Sequence, residues 1–244
     1  MKTKAVRLYG KMDLRMEEFE LPPIEEGEIL AYVVSDSICM SSYKATSQGA
    51  DHKRVPNDVA DNPVIIGHEF CGYIVEVGAK WQDQFKPGDK FVIQPALNYK
   101  GSLFSPGYSY PHIGGDATYV VIPEEVMLCG CLLPYDAFFY GSLTEPMSCI
   151  VGGFHANYHG KPGVYEHTMG CKPRGNMAIL AGAGPMGLGC ADYAIHGGNP
   201  PKLLVITDID EARLARAAQL HCGRRGGKQR QARIHEHKRS RRSG

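Results

Sequence analysis

Met177-Ala178-Ile179-Leu180-Ala181-Gly182-Ala183-Gly184-Pro185-Met186-Gly187 decides the fold. Met177 to Ala181 read as a buried strand, and the GxGxxG that follows is a turn opening a helix, predicted through Ile195. Gly182 permits the tight turn, Gly184 lets the backbone approach a pyrophosphate, and Gly187 lets helix and strand pack closely. A helix starting there offers free N–H groups and a positive dipole end to phosphates. His196 reads as a C-terminal cap, and Gly197-Gly198-Asn199-Pro200-Pro201 ends the helix. Leu203 to Asp208 form the next strand, and Asp210 caps a last helix to about Leu220. This βαβα run is the opening of a doubly wound sheet. Asp208 lies 21 residues after Gly187, at a strand end. There a carboxylate accepts both ribose hydroxyls and repels a 2′-phosphate, which favours NAD over NADP. A glycine turn that serves packing alone is the plain alternative; strand, helix and acid in register weigh against it.

Upstream the pattern differs. Ala5–Tyr9, Glu28–Val34, Tyr73–Val77, Phe91–Ile93 and Thr118–Pro123 are short strand patterns, separated by turns such as Lys86-Pro87-Gly88-Asp89-Lys90. Few helices are evident, and a small β-barrel is expected. Glu145-Pro146 starts a helix running to about Tyr158, and 160–176 is a Gly/Pro/Lys-rich connection. The expected division is a barrel domain over 1–153, a partial nucleotide-binding domain over 154–220, and a basic tail over 221–244 that is expected to be disordered.

Charge separates the tail from the rest. Residues 222–244 hold nine Lys or Arg against one Glu, so the preceding residues are net −7 although the whole chain is +1. An acidic body argues against nucleic acid as the natural ligand. No signal peptide is visible at the N-terminus, and the longest apolar run, Met177–Ala191, is too short to span a membrane. Eight cysteines without disulfide-like spacing suit reduced thiols, hence a cytoplasmic setting.

A second constellation lies in the β-rich part. Gly67-His68-Glu69-Phe70-Cys71-Gly72 is followed after five residues by Gly78. His68 offers nitrogen, Glu69 a carboxylate, Cys39 a thiolate, and Glu145 a second carboxylate. Catalytic zinc takes three protein ligands of mixed type and keeps one position open. Each residue also has a plainer reading: a core cysteine, a satisfied histidine, a helix start at Glu-Pro.

Taken together, these motifs resemble zinc-containing medium-chain alcohol and polyol dehydrogenases. GHExxGxxxxxG at Gly67–Gly78 resembles that family's signature, Cys39 its first zinc ligand, and Glu145-Pro146 the glutamate of its polyol branch. Gly114–Tyr119 resembles a conserved glycine segment, and the glycine fingerprint and Asp208 follow in the family's order. Ser35–Cys39, Asp51–Pro56, Glu145–Cys149 and His155–His159 most resemble bacterial L-sorbose-1-phosphate reductases. The resemblance covers about residues 1–220. It implies a GroES-like catalytic barrel followed by a truncated Rossmann half. It also implies one catalytic Zn²⁺ surrounded by Cys39, His68 and Glu69 with Glu145, either glutamate being the direct ligand, and NAD(H) as hydride carrier. Ser41 matches the hydroxyl that relays the alcohol proton, and the implied substrate is a polyol or ketose phosphate such as L-sorbose 1-phosphate. Full-length relatives are expected to be homo-oligomers.

The departures are specific. Ser42 stands where the family often has an Asp supporting the zinc histidine, and Lys44 where a relay histidine often stands. Residues 94–115 hold no cysteine, so no structural zinc is expected. Lys44, Lys53 and Arg54 are candidates for a substrate phosphate, with ordinary surface cations as the alternative. After Leu220 the sequence has no periodicity, and no strand is read in it. The chain is therefore expected to be an incomplete, inactive form of the enzyme. Two other readings remain open: a non-catalytic zinc-binding fragment, and a nucleic-acid binder acting through Arg224–Arg242.

Overall fold

The structure, a computed structural model, describes residues 1–221 and 232–236. It divides into two compact units, Met1–Glu145 and Pro146–Gly244.

The first unit holds β1 (Lys2–Gly10), β2 (Asp13–Glu20), β3 (Ile29–Asp36), α1 (Met40–Gln48), β4 (Val64–Ile65), β5 (Phe70–Val77), β6 (Lys90–Ile93), β7 (Tyr119–Ile122), α2 (Glu124–Leu128), β8 (Leu132–Pro134) and α3 (Phe138–Gly141). Two antiparallel sheets result, ordered β2-β1-β4 and β7-β3-β5-β6-β8. They meet where Val6 N–H donates to Asp116 O at 2.8 Å and Thr118 N–H to Lys4 O at 3.0 Å. The five-stranded sheet curls around an apolar core that includes Ile29, Phe70, Ile74, Phe91, Ile113 and Ile122. A second cluster of Leu8, Ala45, Val55, Val59, Val64, Ile66 and Tyr108 underlies α1 and the segment after it. The sequence expects a small barrel, and the architecture is that of a GroES-like domain.

Several elements are absent from the sequence reading, β2, α1, α2, β8 and α3 among them. Strand β2 (DLRMEEFE) alternates, but its acidic residues mask the alternation; Glu17 pairs back onto β1 through Arg7 at 3.4 Å and Tyr9 O–H at 2.8 Å. Helix α1 (MSSYKATSQ) is polar and Ser/Thr-rich, so its propensity is weak. Its ends supply the missing signal: Cys39 Sγ accepts Ser41 N–H at 3.4 Å, and Gly49 stops it at φ +56°.

Helix α4 (Thr144–Ala156) begins at the predicted Glu145-Pro146 and crosses from one unit into the other, so the expected boundary at 153 falls inside it. The second unit adds β9 (Tyr158–His159), β10 (Thr168–Met169), β11 (Asn176–Ile179), α5 (Pro185–His196), β12 (Leu203–Asp208), α6 (Glu211–His221) and β13 (Ala232–Glu236). Strands β11, β12 and β13 form a parallel sheet in that order. Ala191 and Ala194 of α5 pack on Leu204 and Ile206 of β12. Asp210 caps α6 as expected, its Oδ1 accepting Arg213 N–H at 3.0 Å. Strand β13 corrects the reading of the tail as strandless. The open edge of β12 offers a row of unpaired N–H and C=O groups, and Ala232–Glu236 satisfies it without apolar periodicity of its own. Residues 222–231 and 237–244, where most of the basic tail lies, are outside the described residues, and so is the nucleic-acid reading built on them. Among the described residues no helix is long and apolar enough to cross a membrane.

Candidate active site

Four segments of the first unit converge on one corner. Cys39 sits at the N-terminus of α1, just after β3. His68 and Glu69 occupy the turn between β4 and β5. The ligand atoms of Cys39, His68 and Glu69 lie within 4.8 Å of one another. Zinc bond lengths of 2.0–2.3 Å imply tetrahedral edges of roughly 3.3–3.8 Å, so a small inward shift brings these atoms to bonding distance. His68 and Glu69 are 4% and 5% exposed, which puts the donors away from bulk water.

The turn has this form because of Gly67. Its φ is +90°, and a Cβ there would run into the Asp36 carboxylate and approach the Asp116 amide at 2.7 Å. The freed backbone lets Glu69 N–H donate to Asp36 Oδ1 at 3.0 Å. Burial, with the Asp116 carboxylate beside it, pushes Asp36 up to about 8. A neutral acid, rather than another anion, therefore backs the three donors. Ser37 Oγ hydrogen-bonds Glu69 Oε2 and fixes that carboxylate.

His68 is braced on both nitrogens. Ser42 Oγ lies 3.2 Å from Nδ1 and Tyr108 Oη 3.0 Å from Nε2. With the proton assigned to Nδ1, Ser42 accepts from it and leaves the Nε2 lone pair, which receives Tyr108 O–H here and is the position a metal would take in its place. Ser42 thus fills the support position that the sequence leaves in doubt. Burial, opposed by Glu69 and reinforced by Arg54, holds the imidazole down at about 4. It is neutral at physiological pH, the form in which histidine binds metal. Burial pushes the Cys39 thiol up, so in the metal-free state it is protonated. The donor set is thus one imidazole nitrogen, one thiol and one carboxylate, and it suits zinc.

Glu145 stands outside this three-residue group, although its charge bears on Tyr108. Ser41 is solvent-exposed at the rim, two residues past Cys39, whose Sγ accepts its N–H. Tyr108 itself escapes the sequence reading. It lies in the Gly/Pro/Tyr/Ser-rich loop, where tyrosines at 99, 108 and 110 look alike; only folding buries Tyr108 against His68, with ring centroids 4.6 Å apart. An open hollow of about 600 Å³ by Phe85, Lys90, Leu132 and Tyr135 is lined by none of the candidate ligands.

In the second unit the glycine loop has its expected form. At Gly187 a Cβ would collide with the Gly182 backbone, while at Gly184 it would meet nothing within 4 Å. The strand-to-helix turn is therefore closed at one glycine and open at the other. Asp208 is buried and ties into the loop: Oδ2 accepts Ala183 N–H at 3.0 Å, and Oδ1 accepts Ile209 and Asp210 N–H at 2.8 and 3.1 Å. These backbone donors, Ala183 first, hold its carboxyl below the usual carboxylate range.

Comparison with known proteins agrees with the architecture. Residues 25–130 match the family described as alcohol dehydrogenase GroES-like domain. The chain is 56% identical over 217 residues to L-sorbose 1-phosphate reductase of Klebsiella pneumoniae, covering 88% of this chain and 53% of that one. It is 52% identical over 220 residues to mannitol-1-phosphate 5-dehydrogenase of Aliivibrio fischeri, covering 89% and 52%. Among solved structures, 2R,3R-butanediol dehydrogenase of Bacillus subtilis superposes with a TM-score of 0.69 at 23% identity, over 96% of this chain and 63% of that one. The chain spans about half the length of the curated relatives it matches. Residues 25–130 are thus an alcohol dehydrogenase GroES-like domain, the opening strands of a Rossmann-type sheet follow it, and over about half their length the chain is similar to sugar-phosphate and polyol dehydrogenases.

Proposed function

We propose that this chain carries the metal-binding half of a zinc-dependent, NAD(H)-linked oxidoreductase acting on a polyol or ketose phosphate. The convergence of Cys39, His68 and Glu69 carries the reading. The names of the relatives, with L-sorbose 1-phosphate and mannitol 1-phosphate as substrates, support the substrate class.

Zinc, when bound, supplies Lewis acidity toward an alcohol or carbonyl oxygen, and the nicotinamide carries the hydride. Cys39, His68 and Glu69 would hold the metal, with Glu145 as a further carboxylate at the same corner. Ser42 orients the imidazole, and Ser37 orients the Glu69 carboxylate. Tyr108 lies at the buried His68 edge and Ser41 at the solvent-exposed rim. Ser41 is the group that passes the substrate proton outward. Gly184 lets the cofactor pyrophosphate approach the backbone at the N-terminus of α5, while Gly182, whose N–H donates to Thr207 O at 2.8 Å, and Gly187 close the turn. Asp208 accepts from the ribose through lone pairs beyond its backbone bonds.

A solution experiment tests the donor set. Cobalt(II) replaces zinc in such sites and shows a thiolate-to-metal charge-transfer band. One equivalent should give that band in the wild-type chain, and Cys39→Ser should lose it. An unchanged band in the variant would remove Cys39 from the site. We also propose that the 244 residues alone, zinc-loaded, turn over no substrate. Three parallel strands hold at most the adenosine end of the cofactor, and loss of nicotinamide positioning removes about 7–11 kcal/mol of barrier lowering. NADH oxidation with L-sorbose 1-phosphate at about 1 s⁻¹ or faster would refute this.

A further inference from the structure

The corner beside His68 carries three cations around His52. Lys44 lies on α1, and Lys53 and Arg54 follow His52 just after it. Among the described residues no carboxylate is ion-paired to any of the three. Arg54 is nevertheless held in place. Its Nη1 donates to Ser105 Oγ at 3.0 Å, and its C=O accepts Ser109 O–H at 2.6 Å. Ser105 is fully buried, and its own hydroxyl donates to Pro95 O at 2.5 Å. The guanidinium carbon stands 5.5 Å from the centroid of the Tyr108 ring, whose hydroxyl touches His68 Nε2. The His52 ring stacks on the same tyrosine at 5.8 Å and 12°. Burial lowers the His52 pKa, and Lys44, Arg54 and Lys53 add to the effect; no carboxylate opposes them.

A guanidinium has five N–H donors, and one of these is used by Ser105. The rest form a planar fork, half-buried, held by the bond to buried Ser105 and in no ion pair among the described residues, an arrangement that favours an anion with several oxygens. We propose that Arg54, assisted by Lys44, binds the phosphate of a phosphorylated substrate and so separates sugar phosphates from free sugars at this site. The inference rests on the proposed metal-centred reaction for the identity of the substrate, and on Arg54's own surroundings for the anion. Arg54 is a specificity-determining residue: it touches the phosphate, away from the reacting carbon.

Calorimetric titration of the full 244-residue chain tests it, with and without zinc. The probes are L-sorbose 1-phosphate, L-sorbose, inorganic phosphate and adenosine 2′-phosphate. The wild-type chain should prefer the ketose phosphate over the free ketose by about tenfold or more, and should bind inorganic phosphate without zinc. Arg54→Gln should weaken both phosphate ligands about tenfold to a hundredfold, the range of a lost charge-assisted bond. Arg54→Lys should restore part of that, since a point charge lacks the fork. Lys44→Gln, on an exposed side chain that leaves the fold intact, should cost a few-fold. The inference fails if Arg54→Gln and Lys44→Gln both bind L-sorbose 1-phosphate like wild type, or if wild type does not prefer it over L-sorbose. It fails too if adenosine 2′-phosphate alone depends on Arg54. Absence of zinc binding combined with intact, Arg54-dependent phosphate binding would sink the metal-centred reading and leave the anion site standing.

Discussion

The two units build their sites by opposite means. The metal corner gathers side chains from four separated segments, around 39–42, 52–54, 68–69 and 105–109, and buries them. The proposed nucleotide loop is one contiguous stretch, Gly182–Gly187, tied at its backbone to Thr207 O and the Asp208 carboxylate. Two buried aspartates show the contrast. Asp36 in the first unit lies against another carboxylate, and burial drives its pKa up to about 8. Asp208 in the second unit receives three backbone N–H groups, and its pKa is driven down. The cores differ as well. Strands β3 and β5 begin with three consecutive buried residues, whereas β11 buries none fully and β12 buries every second one. Parallel strands are ordinarily covered on both faces. Side-chain sites thus go with the deep core, and the backbone site with the thinner layer.

The largest expected effect comes from removing a ligand. The chain should take up at most one zinc, and His68→Ala should abolish uptake; metal analysis of purified protein checks both. Two zinc ions per chain would break the one-centre reading. Next is the comparison between glycines. Gly67→Ala should destabilise the first unit by on the order of 3 kcal/mol, through positive φ and collision with Asp36. Gly184→Ala, at φ −85° with open space around a Cβ, should leave the denaturation midpoint nearly unchanged and weaken dinucleotide binding. Equal losses of stability in urea melts would erase the distinction between a packed turn and a presented one.

A smaller change should follow at Asp208. In a form of the protein that uses dinucleotide, Asp208→Ala should weaken NADH and relatively improve NADPH, measured as the ratio of kcat/KM values. An unchanged ratio would leave Asp208 as a brace for the loop alone. The smallest effect concerns pH. Because the folded pKa of Asp208 lies below its unfolded value, its stabilisation is fully present above the ordinary carboxylate range. That stabilisation is lost as pH falls through the folded value. Acid titration followed by amide exchange should show the Ala183 and Asp210 amides keeping protection through the ordinary carboxylate range and losing it only below that range. Loss of that protection already near neutrality would contradict the assignment.

Much of this was legible before folding. The strand–glycine–helix–strand run, the Asp210 cap and the helix start at Glu145-Pro146 were readable because they depend on neighbours within a few residues. Local reading missed β2 and α1. Charge obscures the alternation of one, and the other is a weak helix former held by a cysteine cap and a positive-φ glycine. It also left β13 unread, since that strand is paired by a neighbour rather than by a pattern of its own.

The sequence by itself determined which donors exist and in what order: Cys39, His68, Glu69, Glu145, the glycine loop and Asp208. The tertiary structure alone decided that Cys39, His68 and Glu69 come together while Glu145 stands outside their group. It also decided that Ser42 braces the imidazole, and that Tyr108 and Arg54, in loops with no pattern, close the corner beside it. The physical reason is range. Turn and helix signals act over a few residues, whereas burial and convergence depend on contacts between segments tens of residues apart, and spacing along the chain does not encode them.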